Sequence, residues 1–279
     1  MNHVSTYIRT PLVTVSRFEH PGGEAHVDPQ EEAASEYSVN FVERGSYFLQ
    51  VGRRRWEMSA TLVFVTRPGA VFRCRHRDET PTDVSFSVCY DAAFVRDVWR
   101  HGGAGRAASP LNVAPLTNRL AYLQMRLRRA ADSREEVLAA ETLAGELLLA
   151  LSQGGPGKVN RPYQARLFAW YAERVEAARA LMDSQYASPH SLSSLARFTG
   201  MSPFHFSRVF RELTGTPPHR YLLGVRMARA AERLRDGAGV TETCFAAGFT
   251  NLSHFTRLFR RTFGAPPSRF PGKGTARGE

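Results

Sequence analysis

One line of this sequence occurs twice. Residues 205–221 read HFSRVFRELTGTPPHRY and residues 254–270 read HFTRLFRRTFGAPPSRF. At an offset of 49 the two are identical at nine of seventeen positions, including His205/His254, Phe206/Phe255, Arg208/Arg257, Arg211/Arg260 and the Gly-x-Pro-Pro that follows. A repeat of this period means one supersecondary unit used twice. A helical solenoid would also repeat, but such arrays need about three or more copies, and two occur here. The C-terminal half is therefore limited to a small helical body built around two versions of one motif.

Charge follows the repeat. The chain carries a net +11. Residues 161–279 hold 18 Lys+Arg against 8 Asp+Glu, whereas residues 1–160 hold 19 against 18. Nearly all the excess lies on the repeated half, which points to a polyanionic partner. A membrane-surface protein would more often show one long Lys-rich amphipathic helix. Here the cations are almost all Arg, set in short separate segments, and double-stranded DNA is the partner this pattern favours. The remaining bulk properties fit a soluble two-domain protein: 279 residues, 43% hydrophobic and 23% charged. No apolar run approaches the roughly 18 residues needed to cross a bilayer, and no membrane role is expected. The N-terminal stretch lacks the apolar core of a secretory signal. Cys74, Cys89 and Cys244 form no CxxC pair, so neither a disulfide framework nor a cysteine zinc site is expected, and the reading is cytoplasmic.

The first half opens with strand signals. YSVNFVE, SYFLQV, RRRWEM, TLVFVT, AVFRCRH and TDVSFSVCY are short, rich in Val, Phe, Tyr and Thr, and separated by RGS, VGR and RPGA turns. Such spacing predicts an antiparallel sandwich or small barrel. A Gly/Ala/Ser stretch after AAFVRDVWRH reads as a loop. Two helices follow. Leu116, Leu120, Leu123 and Leu127 form one stripe, either packed on the barrel or serving as the seam of a homodimer. GGPGKVNRPYQ (154–164) reads as a linker, and everything beyond it as helix.

Each copy of the repeat reads as helix, tight turn, helix. In the first, Thr199-Gly200 makes the turn, and Ser202-Pro203 restarts the chain as N-cap and first helical residue. In the second, Gly248 turns and Thr250 or Asn251 caps. On the following helix Phe206, Val209, Phe210 and Leu213 share a core face, as do Phe255, Leu258 and Phe259. The opposite face carries Ser207, Arg208 and Arg211 in one copy and Ser253, Thr256, Arg257 and Arg260 in the other. Arginine and hydroxyl groups on an exposed helix suit the major groove. Between the units, HRYLLGVRMARAAERLRDG supplies roughly 16 helical residues, about 24 Å of rod. With the bodies of the two units added, the reading helices are expected about 34 Å apart, one turn of B-DNA.

These pieces resemble a known family. SLSSLARFTGMSPFHFSRVFRELTGTPPHRYL, the helix VRMARAAERL and GFTNLSHFTRLFRRTFGAPPSRF are similar to the C-terminal DNA-binding domain of AraC/XylS-type transcription regulators, over about 100 residues. The resemblance implies seven helices with two helix-turn-helix motifs. It implies DNA contacts at Phe204, Ser207 and Arg208 in the first motif. In the second it implies Leu252, Ser253, His254, Thr256 and Arg257. Arg226 matches a linker-helix arginine typical of the family. Two residues depart from the pattern: Thr243 stands where a large aliphatic is usual, and Leu252 where many members are polar. His205 and His254 are read as packing or phosphate-contacting groups rather than metal ligands. The resemblance further implies a cupin-like N-terminal barrel that senses a small-molecule effector and often dimerises, with RNA polymerase as a further partner class.

The expected fold is thus α+β in two domains. Residues 1–153 form a cupin-like antiparallel β-barrel with trailing helices, residues 154–164 a linker, residues 165–271 an all-α domain with two helix-turn-helix motifs, and residues 272–279 a tail. Alternation in VFRCRHRD puts Phe72, Cys74 and His76 on one face. Candidate effector contacts are Phe41, Tyr47, Trp56, Phe64, Cys74 and His76. A cupin metal site normally needs several His and a carboxylate converging on the pocket. His3, His20, His26, His76 and His101 are scattered with no HxH, so neither a metal nor any other cofactor is expected, and no catalytic residue is assigned. The leading reading is an effector-controlled, sequence-specific transcription regulator. The alternatives are a cupin-fold metal-dependent enzyme with an accessory DNA-binding domain, a DNA-binding protein without sequence preference, and a barrel that serves only to dimerise.

Overall fold

The computed structural model describes residues 3–20, 31–76, 82–102, 112–133, 137–152 and 162–270. The chain divides into two compact units, Met1–Tyr163 and Gln164–Glu279. The linker residues 154–161, the tail 272–279, the Gly/Ala/Ser stretch 103–111 and His26 lie outside the described residues.

Among the described residues the first unit contains ten strands: β1 (His3–Arg9), β2 (Val13–Glu19), β3 (Glu32–Ala33), β4 (Tyr37–Arg44), β5 (Tyr47–Val51), β6 (Arg54–Met58), β7 (Leu62–Thr66), β8 (Val71–Arg75), β9 (Val84–Tyr90) and β10 (Asn112–Pro115). All pairings are antiparallel. One sheet runs β1-β2-β9-β4-β7-β10 and the other β3-β8-β5-β6. The six strands expected from composition are β4 to β9. β1, β2, β3 and β10 were not anticipated.

Period-two alternation sorts the larger sheet into two faces. Along β9, Phe86, Val88 and Tyr90 join a core with Val13, Val15, Val39, Phe41 and Val63. Their neighbours Ser85, Ser87 and Cys89 face the other way, into a cavity between the sheets. Helices α1 (Ala92–His101), α2 (Asn118–Asp132) and α3 (Val137–Ser152) cover the apolar face. Leu120, Leu123 and Leu127 are buried there with Leu143 and Leu147, and Leu116 packs at the edge. Burying each leucine stabilises the unit by roughly 1.5–3 kcal/mol. Of the two roles open to this stripe, the structure takes packing on the sheet. The four leucines are therefore not a surface seam, because the outer face of the sheet needs them as its cover.

The second unit is all helix: α4 (Ala165–Ser184), α5 (Leu192–Phe198), α6 (Pro203–Thr214), α7 (Pro218–Arg235), α8 (Val240–Ala246), α9 (Leu252–Phe263) and a 3-10 turn at Pro267–Arg269. Among the described residues that makes six α-helices and one 3-10 turn, where the resemblance implies seven helices. Phe206, Val209, Phe210 and Leu213 are buried in one motif, and Phe255, Leu258 and Phe259 in the other, as the spacing predicts. α7 has 18 residues, about 27 Å at 1.5 Å each. Both its ends are tied down. Tyr221 donates its hydroxyl to Asp183 of α4 at 2.9 Å, and Arg233 donates to Glu242 of α8 at 2.6 Å.

Candidate functional site

The two motifs share a plan: a left-handed glycine in the turn, a side-chain cap on the second helix and a left-handed glycine at its end. α5 and α6 are joined through Gly200 at φ +69°, and α8 and α9 through Gly248 at φ +81°. Both glycines sit in the left-handed region that side chains resist. Ser202 accepts the His205 N–H through its hydroxyl, and Asn251 accepts the His254 N–H at 2.8 Å. These caps satisfy backbone donors that the first turn would leave open. Each helix then stops on a left-handed glycine, Gly215 or Gly264, whose N–H reaches the carbonyl of Arg211 or Arg260 at 2.8 Å.

With the Phe/Val/Leu face fixed inward, the remaining face turns to solvent. On α6, Phe204 is 81% exposed, Arg208 and Arg211 are exposed, and Ser207 is half-buried. Arg208 lies 3.6 Å from Glu212, one turn on. On α9, Leu252, Ser253, His254, Arg257 and Arg260 are exposed and Thr256 is half-buried. Ser207 and His254 both border a cleft of about 500 Å³ between the motifs, together with His190, His219 and Thr250. Each motif thus presents a helix start with hydroxyls, arginines and one apolar side chain, suited to base edges, phosphates and thymine methyls. The partial positive charge at each helix N-terminus adds to this.

His205 is half-buried and shares a 2.9 Å hydrogen bond with the Tyr171 hydroxyl of α4, which gives it a packing role. His254 is exposed. Arg226 is half-buried and borders the same cleft as Ser207 and His254. It donates to the carbonyls of Tyr186 at 2.7 Å and Ser188 at 2.9 Å, closing the segment between α4 and α5. Burial lowers its pKa from the ordinary value.

The cavity of the first unit, about 450 Å³, is two-sided. One wall is polar, formed by Ser38, Asn40, Thr66, Ser85, Ser87 and Cys89 of the larger sheet. Asn40 donates to Ser38 at 2.7 Å and to the Phe64 carbonyl at 3.2 Å, and accepts from Ser87. Ser38 and Thr66 share a 2.7 Å hydrogen bond. Burial, with the charge of Glu36, pushes the Cys89 thiol up to about 11. The other wall carries Tyr47, Phe72 and Cys74. Burial pushes the Tyr47 hydroxyl far above its usual range, helped by Cys74, Asp83 and Glu32.

Of the six expected effector contacts, Tyr47, Phe64, Cys74 and His76 line this cavity. Phe41 does not. It has the parity of Val39, so it points to the helix-covered face and packs against Phe86. Trp56 is also displaced, packing on Tyr47, Leu49 and Met58 in a small cluster between the sheets. One group was missed altogether. His20 and His76, read as scattered, converge with Asp83 at the cavity. His20 follows β2, Asp83 precedes β9, and His76 follows β8 in the opposite sheet. Burial alone would raise the Asp83 carboxyl, but the hydrogen bond from His76 and the charges of both histidines hold it below its ordinary value.

Two helix-turn-helix units on one helical body define a DNA-binding domain. Residues 195–272 match the family model described as a helix-turn-helix domain. Two such motifs are bridged by α7, the arrangement that the resemblance to AraC/XylS-type regulators implies. The regulatory protein ada of Salmonella typhimurium is 32% identical over 98 residues, which are 35% of this chain and 27% of that protein. The chain therefore spans about a quarter of the length of that relative. A probable AraC family transcriptional regulator from Rhodopseudomonas palustris is 30% identical over 35% of this chain and 94% of its own, with a TM-score of 0.33. ToxT from Vibrio cholerae, in its apo K231A form, aligns with 94% of this chain and 97% of its own at 10% identity and a TM-score of 0.42.

Proposed function

We propose that the protein is a sequence-specific, DNA-binding transcription regulator whose N-terminal cavity takes a small-molecule effector. The observation that carries the DNA reading is the matched pair of reading helices. Each has a side-chain cap at its start, a left-handed glycine at its stop and outward arginines at matching positions, on one body tied together by α7. In this reading Phe204, Ser207, Arg208 and Arg211 enter one major groove, and Leu252, Ser253, His254, Thr256, Arg257 and Arg260 the next. Arg226 acts indirectly, by holding α7. The basic C-terminal half supports affinity through phosphate neutralisation, and the reading helices support specificity.

The effector reading draws on the cavity. A molecule with hydrogen-bonding groups on one side would meet Asn40, Ser85 and Ser87, and its apolar side would meet Tyr47, Phe64 and Phe72. Ligand pockets commonly combine an apolar lining with a few placed polar groups. Homodimerisation, contact with RNA polymerase and a cytoplasmic setting belong to the same proposal. Among the described residues no helix is long and apolar enough to cross a membrane. The test is protection of DNA upstream of the protein's own and neighbouring genes, with nonspecific competitor, at two salt concentrations. A discrete site supports the proposal. Salt-sensitive binding with a specificity ratio near one favours the nonspecific alternative and would refute it.

A further inference from the structure

We propose that His20, His76 and Asp83 form a binding site for a divalent first-row transition-metal ion in the wall of the N-terminal cavity. Nδ1 of His20 lies 3.0 Å and Nε2 of His76 lies 3.1 Å from the same carboxylate oxygen, Oδ1 of Asp83. The three ligand atoms lie within 4.8 Å of one another. A zinc-like ion holds such ligands at about 2.0–2.2 Å. At angles of roughly 90–110°, that sets neighbouring ligand atoms about 2.8–3.6 Å apart. Both observed separations from Asp83 fall in this range.

The donor set selects the ion. Two imidazoles and one carboxylate suit zinc, iron, cobalt or nickel. Calcium and magnesium prefer oxygen ligands throughout. Three protein ligands also leave coordination positions for water or for an anionic group of a cavity ligand.

The surroundings hold the donors in place. The side chains of His20, His76 and Asp83 are 12%, 7% and 7% exposed. His20 N–H donates to the Asp83 carbonyl at 3.2 Å, extending the β2–β9 ladder by one pair. The imidazoles meet edge-on, with ring centroids 4.6 Å apart. Gly45, at φ +75°, backs the carboxylate residue. A Cβ there would stand 2.9 Å from both Cα and Cβ of Asp83. The cluster thus joins the two sheets at one point, and no pair of its members is adjacent in sequence.

A metal-free clamp, with Asp83 accepting a hydrogen bond from each histidine, is the competing explanation, and the experiment separates the two. The full-length protein is stripped with a chelator and titrated with Co(II), then with Zn(II) as competitor. Uptake is read by visible absorption and by elemental analysis. The proposal predicts one equivalent per chain, a cobalt spectrum displaced by zinc, and a higher melting temperature with metal. Asp83→Asn and His76→Gln keep the size and much of the hydrogen-bonding capacity of the originals. Each is expected to weaken metal binding by roughly a hundredfold or more, given that outer partners alone give 10–100-fold. Circular dichroism of both variants checks folding, and the wild-type stoichiometry stands as a test if either fails to fold. Wild-type protein without stoichiometric uptake, or variants that bind as tightly as wild type, would overturn the proposal. Destabilised variants beside a metal-indifferent wild type would assign the cluster to the clamp. None of these outcomes depends on DNA binding.

Discussion

Thr243 offers a direct test of the packing described for the second motif. It lies in α8, is 0% exposed, and among the described residues its hydroxyl has no hydrogen-bond partner. An unsatisfied buried hydroxyl costs about 1–3 kcal/mol. Thr243→Val keeps the branched shape and replaces the hydroxyl with a methyl. The substitution is therefore predicted to stabilise this unit by about 1–3 kcal/mol. For a domain near 100 residues that corresponds to a rise in melting temperature of roughly 4–8 °C per kcal/mol. Thr243→Ser keeps the hydroxyl and deletes the methyl, and is predicted to destabilise by about 1 kcal/mol. Hydrogen exchange of peptides from α8 and α9 across a urea series reads this region separately from the N-terminal unit. A Val variant no more stable than wild type, or a Ser variant more stable than both, would refute the reasoning, since the hydroxyl would then be satisfied.

Three further outcomes follow from the same geometry. Gly248→Ala should destabilise by more than about 3 kcal/mol, because left-handed backbone costs about 1–2 kcal/mol and the new Cβ would stand 2.7 Å from the Ala187 carbonyl oxygen; Gly200→Ala, with nothing within 4 Å of its Cβ, should cost only the backbone term, and equal losses in urea denaturation would contradict this. Arg226→Met should lower the stability of the C-terminal unit by about 1.5–3 kcal/mol through two lost charge-assisted hydrogen bonds, while leaving the ranking of DNA sequences unchanged. A changed base preference in a binding-site selection would return Arg226 to the DNA surface. Asn40→Leu should abolish binding of any effector that uses the polar wall, read by calorimetry with a ligand found by screening, whereas Phe41→Leu should cost stability without that selectivity.

Legibility in the sequence followed the range of the signals. The helix-turn-helix units were readable because their determinants are local: Ser202-Pro203, Gly200, Gly248 and the recurring Arg positions each act within a few residues. Strands β4 to β9 were readable for the same reason, through alternation and glycine turns. Phe41 was misplaced because parity says which residues share a face, not which face is covered by helices, whereas Trp56 has the inward parity of Met58 but packs in the cluster beside the cavity and not on its wall. Arg226 could not be resolved from its position in a rod helix, since its partners are the backbone carbonyls of Tyr186 and Ser188 some forty residues earlier. The His20–His76–Asp83 cluster escaped because a search for HxH looks along one strand. Here each member stands at the end of a different strand, and only the pairing of β2 with β9 and the facing of the two sheets bring them together.

The central claim is that both motifs read DNA. The most direct measurement is footprinting of the preferred DNA site with wild type, Arg208→Ala and Arg257→Ala, beside a nonspecific fragment. Each arginine that pairs with a base should account for about 1–3 kcal/mol of discrimination. Each variant is therefore predicted to lose at least about fivefold in specific affinity, with little change on nonspecific DNA. Arg208→Ala should unprotect one major groove and Arg257→Ala the other, about one helical turn away. Equal affinity of all three proteins for the site, or loss of the same groove in both variants, would contradict the account.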